Sequence, residues 1–154
     1  MQINTTRFGT IEVKDDSVIQ MREGMLGIEH CSQYVLLEDR PSAVFKWMQA
    51  LEDPAVAFMV INPNDFFPDY EVELTDEQAK ALSLDDPSES VMFTTITVDR
   101  DEGKVTTNLA GPIIVNLKTL QARQIIVQNE HYCTKHTVGE KTQAQTSREL
   151  AKAA

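Results

Sequence analysis

The chain has 154 residues, of which 42% are hydrophobic, and its formal net charge at pH 7 is −10. This length and composition predict one globular domain that can bury a core. Because the sequence has no apolar run of about eighteen residues and its N-terminus has no apolar signal core, we expect a cytoplasmic protein without a membrane span.

The negative charge is concentrated in the middle of the chain. Residues 65–102 carry twelve acids and two bases, a net of −10 that equals the excess of the whole chain. Residues 1–64 have a net charge of −4, and residues 103–154 have a net charge of +4. Such a field repels phosphate backbones and attracts basic protein surfaces. The charge pattern therefore disfavours direct binding of nucleic acid.

Apolar and β-branched residues recur in short segments that are typical of strands. In chain order the predicted strands are Ile3–Phe8, Thr10–Val13, Val18–Met21, Tyr34–Leu37, Ala43–Leu51, Ala55–Ile61, Val91–Val98, Lys104–Leu109, Ile113–Asn116 and Arg123–Gln128. Asp99-Arg100-Asp101-Glu102-Gly103 predicts a hairpin turn in which the glycine adopts a positive φ. Turn signals spaced by roughly 8–12 residues indicate an antiparallel barrel or sandwich. We predict an all-β fold, mainly antiparallel, in a small barrel-like domain.

One short helix near residues 75–84 interrupts the strands. Thr75 followed by Asp76, Glu77 and Gln78 is a capping-box pattern, with acids at the positive end of the helix dipole. The helix should end at Leu82 or Leu84, before the restriction that Pro87 imposes on Asp86. We expect the domain to span residues 1–138 and the polar segment 139–154 to be a flexible or weakly helical tail.

The stretch from Asn62 to Leu74 alternates apolar and acidic residues. It predicts a strand or ribbon leaving the barrel, with its apolar side chains inward and its acids facing solvent. We take it as the candidate partner-binding segment. The candidate residues are Asp65, Phe66, Phe67, Asp69, Tyr70, Glu71 and Glu73.

The same carboxylates suggest the alternative of an acid-dependent hydrolase. General acid–base chemistry needs two carboxylates in different environments. If residues 70–74 are extended, Glu71 and Glu73 share the solvent face and are similarly exposed, so the sequence predicts no catalytic residue there. Phe66, Phe67 and Tyr70 could also stack on single-stranded nucleic acid, but such sites need a basic groove.

The histidines and cysteines fall in two clusters, one at His30-Cys31 and one around His131, Cys133 and His136. Thiolate and imidazole are zinc ligands, and the second cluster could converge if it is a loop. Its spacing matches no common zinc module, and Lys135 would place a cation beside the metal. We therefore predict no metal site, no cofactor and free thiols.

Asn108 and Asn116 bracket the turn that contains Pro112. Asparagine side chains in such positions commonly accept or donate hydrogen bonds to nearby backbone. We predict a structural role for all three residues.

Several of these segments together resemble one known family. Asn4 to Gly9, Gly24 to Gly27 and Leu51 to Pro54 look like the corresponding parts of the flagellar assembly factor FliW. The blocks Phe-Phe-Pro-Asp-Tyr and Asn-Leu-Ala-Gly-Pro-Ile, and the block Tyr-Cys-Thr-Lys-His that ends at His136, are similar as well. The resemblance spans roughly residues 2–137 in a consistent order.

The resemblance implies a non-enzymatic β-barrel-like protein. Members of the family bind the translational regulator CsrA and relieve its repression of flagellin mRNA, and they also bind flagellin. It therefore implies CsrA and flagellin as partners, and we expect a monomer when the protein is free. The alternative within the same class is a flagellin chaperone that does not antagonise CsrA.

Overall fold

The computed structural model describes residues 1–38, 44–129 and 131–138. Within these ranges the chain forms β-strands, one α-helix and short 3-10 turns, so the predicted all-β class with one helix is confirmed. The strands are β1 Gln2–Thr5, β2 Gly9–Glu12, β3 Ile19–Gln20, β4 Gln33–Leu37, β5 Lys46–Ala50, β6 Ala57–Ile61, β7 Ser90–Asp99, β8 Lys104–Thr107, β9 Ile113–Asn116, β10 Ala122–Gln124 and β11 His136–Thr137. Helix α1 spans Asp76–Ala81.

Most strands belong to one curled antiparallel sheet with the order β10-β9-β7-β6-β5-β4-β3. The long strand β7 pairs with β9 through its first half and with β8 through its second half, and β11 extends the sheet beside β8. The two ends of the order meet because Gln20 forms a bridge with Gln121 and its N–H donates to the carbonyl of Leu120 at 2.8 Å. The sheet therefore closes toward a barrel.

Side chains of the central strands alternate between the barrel interior and its outer face. Along β5, Met48 and Ala50 point into the interior cluster, whereas Trp47 belongs to a different cluster on the outside. The interior cluster draws on strands all along the sheet. It contains Ile19, Met21, Met25, Cys31, Tyr34, Met48, Ala50, Val60, Phe93, Ile113, Val115 and Ala122.

The outer face is also apolar and is covered by three further segments. Strands β1 and β2 form a separate hairpin whose Phe8 ring contacts Trp47 edge-on at 5.8 Å. Phe66 packs against another part of the same cluster, on Phe45. Helix α1 and the residues after it bring Leu82 against β9 and Ile125. Burial of the Leu82 side chain contributes about 1.5–3 kcal/mol to the packing of this segment on the barrel.

The capping box predicted for α1 is present. The Thr75 hydroxyl accepts from the Gln78 N–H at 3.1 Å, and the Gln78 side chain accepts from the Thr75 N–H at 2.9 Å. In the β7–β8 turn Gly103 has a φ of +67°, as the sequence indicated. Both features arise from residues adjacent in sequence.

Several predicted strand boundaries are wrong. The first strand ends at Thr5 because its hydroxyl accepts from the Phe8 N–H at 2.8 Å and closes a turn. The last predicted strand ends at Gln124, and the stretch from Asn62 to Leu74 forms a 3-10 turn followed by irregular backbone instead of a strand. The tail 139–154 and the predicted strand start at Ala43 lie outside the described residues.

None of the helices in the described ranges is long and apolar enough to span a bilayer.

Two buried tyrosines give a matched test of hydrogen-bond satisfaction. The Tyr70 hydroxyl donates to the carbonyl oxygen of Leu109 at 2.6 Å, whereas the buried Tyr34 hydroxyl has no partner in the described part of the chain. Burial raises the pKa of both phenols, so both stay protonated at neutral pH. Tyr70→Phe should lower the free energy of unfolding by about 1–2 kcal/mol, since it orphans a buried carbonyl.

Tyr34→Phe is the matched control, because it removes a hydroxyl that has no partner. Its free energy of unfolding should be unchanged or higher in urea denaturation. Equal destabilisation by the two substitutions would contradict this assignment.

Candidate partner-binding surface

The segment from Asn62 to Leu74 is folded by hydrogen bonds between its own residues. The Asn62 side chain accepts from the Asn64 N–H at 3.0 Å and begins the 3-10 turn Pro63–Asp65. The Asn64 amide donates to the carbonyls of Phe67 at 3.3 Å and Tyr70 at 2.8 Å. These bonds satisfy backbone groups that a strand would have paired in a ladder.

The aromatic residues of this segment act as anchors in the structure. Phe66 stacks on Phe45 with ring centroids 6.1 Å apart, and Phe67 lies edge-on to the His136 ring at 6.1 Å. Both are half-buried. Tyr70 is only 3% exposed, so its ring does not offer a contact surface to a partner. Of the three predicted aromatic contacts, Tyr70 is the one that the fold withdraws from solvent.

The acids of the segment face the opposite way. Asp65, Asp69, Glu71 and Glu73 are all exposed, while Val72 and Leu74, which alternate with Glu71 and Glu73, are half-buried. The expected alternation is therefore present although the backbone is not a paired strand. In the described ranges no ion pair is formed by any of these four carboxylates. Their charge is thus left for a partner or for solvent.

Two grooves adjoin this acidic segment, and Val72 and Glu73 line both of them. The first has a volume of about 670 Å³ and an apolar floor. Its apolar lining comprises Val72, Leu74, Ala79, Leu84, Val91, Met92 and Ile114. Its acidic rim comprises Glu73, Asp85 and Asp86. Hydrogen bonds from Ser88 lower the pKa of Asp86, which keeps that carboxylate ionised.

The second groove has a volume of about 550 Å³. Asp69, Glu71 and Glu73 line one part of it, and the chain from Ile125 to Asn129 lines another together with Tyr132. The apolar floor of the first groove and the acids that line both grooves suit a protein surface that combines apolar and basic side chains. Asp85 and Asp86, which line the first groove, were not among the predicted partner-binding residues, although they lie in the acid-rich segment.

A third groove, of about 460 Å³, has no charged residue in its lining. Leu26 and Ile126 line it and are 70% and 51% exposed. The other lining residues include Met25, Phe58 and Thr134. This groove was not predicted, because its residues come from strands and loops that are far apart in sequence.

The three predicted turn residues make backbone contacts. Asn108 accepts from the N–H groups of Ala110 and Gly111 at 3.0 Å. The Pro112 carbonyl accepts from the Ile125 N–H at 2.8 Å. Buried Asn116 donates to the Leu82 carbonyl at 2.7 Å and so ties the end of α1 to strand β9.

The cluster around His131, Cys133 and His136 does not converge on a metal-like arrangement. His136 lies in β11, and its Nε2 accepts from the Cys133 N–H at 2.9 Å. The Cys133 thiol is exposed. Among the described residues, the donors that do come together are His30, Cys31 and Asp53, whose ligand atoms lie within 4.8 Å of one another.

Comparisons with known proteins agree with one another. Residues 2–138 match the family model described as FliW protein. The chain is 37% identical over 147 residues to the flagellar assembly factor FliW of Geotalea uraniireducens, covering 96% of this chain and 90% of that protein. It is 37% identical over 139 residues to the protein of the same name from Thermoanaerobacter pseudethanolicus, covering 90% and 93%.

A solved structure gives the same result. The crystal structure of the flagellar assembly factor FliW superimposes with a TM-score of 0.82 at 30% sequence identity. The match covers 92% of this chain and 99% of that chain.

The N-cap residue Thr75 stabilises helix α1, which precedes the acids Asp85 and Asp86 at the rim of the first groove. We expect Thr75→Ala to lower the free energy of unfolding by about 1 kcal/mol, because an N-cap hydrogen bond is lost. Chemical denaturation followed by circular dichroism measures the change. Thr6→Ala, at an exposed threonine in the β1–β2 turn, is the control and should stay within about 0.5 kcal/mol. An equal decrease in the free energy of unfolding in both variants would show that the N-cap hydrogen bond does not stabilise the protein.

Proposed function

The chain belongs to the FliW family of flagellar assembly factors, and from this premise we propose that it binds the translational regulator CsrA and antagonises RNA binding by CsrA. The consequence is relief of the repression of flagellin translation. The observation that carries the proposal is the acid-rimmed pair of grooves beside residues 65–86. A protein that binds RNA phosphates has a basic surface, and this site complements such a surface.

The electrostatic effect on RNA binding comes from several acids together, because the effect of a single acid is small. At a separation of about 10 Å in water, two unit charges interact by about 0.4 kcal/mol. Physiological salt screens this further, with a Debye length of about 8 Å. A cluster such as Asp69, Glu71 and Glu73 can nevertheless shift the RNA affinity of a docked protein severalfold, because each phosphate meets several carboxylates.

Apolar contacts supply the remaining affinity. The groove floors offer Leu74, Leu84 and Met92 to apolar side chains of the partner, and the acidic rim steers the encounter. The half-buried Phe66 and Phe67 lie at the start of the same segment. In this proposal the acids and these two rings contact the partner, while Tyr70 holds the segment in place.

The protein acts without catalysis in this proposal. The curated relatives are named as assembly factors, and the candidate carboxylates are exposed alike, without the contrast in environment that acid–base chemistry needs. We place the protein in the cytoplasm, where CsrA and newly made flagellin are found together. Flagellin is the second partner, and its binding should release CsrA.

Removal of the acidic charge tests the proposal directly. Asp65→Asn, Asp69→Asn, Glu71→Gln and Glu73→Gln combined should weaken CsrA binding by about three- to tenfold at physiological salt. The salt dependence of the dissociation constant should also become shallower. Calorimetry with purified CsrA over a range of ionic strength measures both effects.

A charge-matched control separates position from net charge. Glu12→Gln, Asp15→Asn, Asp16→Asn and Glu23→Gln remove four exposed acids from the N-terminal part of the chain. This variant should retain the wild-type affinity and salt slope. Equal weakening by both variants would mean that only the overall charge matters, and absence of any complex between the wild-type protein and CsrA would refute the proposal.

Competition between partners distinguishes the proposal from a simple flagellin chaperone. Flagellin added to the preformed complex should release CsrA, which size-exclusion chromatography detects. If the protein binds flagellin and never CsrA, it is a chaperone of the alternative kind. If a ternary complex forms without release of CsrA, the predicted exchange of partners is wrong.

A further inference from the structure

A compact set of three metal-binding side chains lies where the loop before β4 meets the β5–β6 turn. His30, Cys31 and Asp53 each offer one donor atom, and these atoms lie within 4.8 Å of one another. His30 and Asp53 reach solvent, while the Cys31 side chain is buried at 0% exposure. The set therefore combines two donors that are open to solvent with one buried donor.

The spacing of the donors suits a small tetrahedral ion. Ligands bonded to zinc at about 2.0 Å in a tetrahedron are separated by about 3.3 Å. The His30 Nε2 and Asp53 Oδ2 atoms are already 3.2 Å apart. Because no pair of donors exceeds 4.8 Å, only small side-chain movements are needed to complete the set.

We propose that His30, Cys31 and Asp53 bind a single Zn²⁺ ion. Thiolate, imidazole and carboxylate are its usual ligands, and the presence of a thiolate favours zinc over magnesium or calcium. Three protein ligands leave the fourth position to water. This site goes beyond the proposed function and does not depend on CsrA or flagellin.

The surrounding loop holds the donors together before any ion binds. The Glu52 carboxylate accepts from the Gln33 N–H at 3.0 Å and from the Ser32 hydroxyl at 3.0 Å, which fastens the residues after Cys31 to the turn that carries Asp53. Gly24 has a φ of +68°, and a Cβ there would lie 2.8 Å from Glu29 Cα. The backbone is therefore packed closely against this loop.

The charges around the thiol also favour a cation. Asp53 supplies a carboxylate to the donor set, and its neighbour Glu52 holds a second carboxylate against Ser32, the residue after Cys31. A divalent cation bound to these donors would balance this negative charge.

Metal titration of the full chain tests the site. Metal-free protein should bind one equivalent of Zn²⁺ in calorimetry, and its Tm should rise on addition of the ion. Titration with Co²⁺ should produce thiolate-to-cobalt absorption. His30→Gln and Asp53→Asn alter solvent-reaching ligands and should lower the affinity by at least about tenfold. Cys31→Ala should remove the absorption.

Matched variants identify the ligands. His131→Gln changes another exposed histidine, and Cys133→Ala changes the exposed thiol. Asp99→Asn is the control for Asp53→Asn, because both aspartates cap a turn in the same way. In each, the Oδ1 atom accepts a hydrogen bond from the backbone N–H two residues later at 3.0 Å. These three control variants should bind Zn²⁺ with the affinity of the wild-type protein. The proposal is overturned if wild-type protein shows no saturable binding, if His30→Gln and Asp53→Asn bind unchanged, or if only Cys133→Ala removes the absorption.

Discussion

The outer face of the barrel carries apolar side chains, as its interior does. The segments outside the main sheet are placed so that they cover this face. Trp47, Met59 and Ile61 point away from the interior cluster, as do Met92 and Ile114 on neighbouring strands. Exposed, these side chains would form a large apolar patch, which soluble monomers rarely display. The β1–β2 hairpin, the segment after β6 and helix α1 each cover part of this face.

That covering requirement explains why aromatic and acidic residues are interleaved between Asn62 and Leu74. Phe66 and Leu74 pack onto outer clusters, and Tyr70 is locked by its hydrogen bond to Leu109. The residues between these anchors must face solvent, and they are acids. Among the described residues these carboxylates form no ion pair, and they lie beside an apolar groove, which is an arrangement suited to a basic protein partner.

The loop near Cys31 is held by a different kind of contact. Glu52 binds backbone and hydroxyl donors of the neighbouring loop, so that a histidine, a cysteine and an aspartate meet although Asp53 is far from the other two in sequence. This region and the acidic surface use separate residues. The proposed partner-binding surface and the proposed zinc site can therefore be tested by separate variants.

Features that depend on neighbouring residues could be predicted from the sequence. The β-branched segments gave the strands, Thr75 and Gln78 gave the capping box, and Gly103 gave the hairpin turn, because these choices are made by local backbone and side-chain preferences. The alternation of Glu71, Val72 and Glu73 likewise gave the correct sides of the chain. The burial of Tyr70, the bridge between Gln20 and Gln121, and the approach of Asp53 to Cys31 could not be predicted in this way. These outcomes depend on contacts between distant segments, whose geometry is set by how the sheet curls and not by any local pattern.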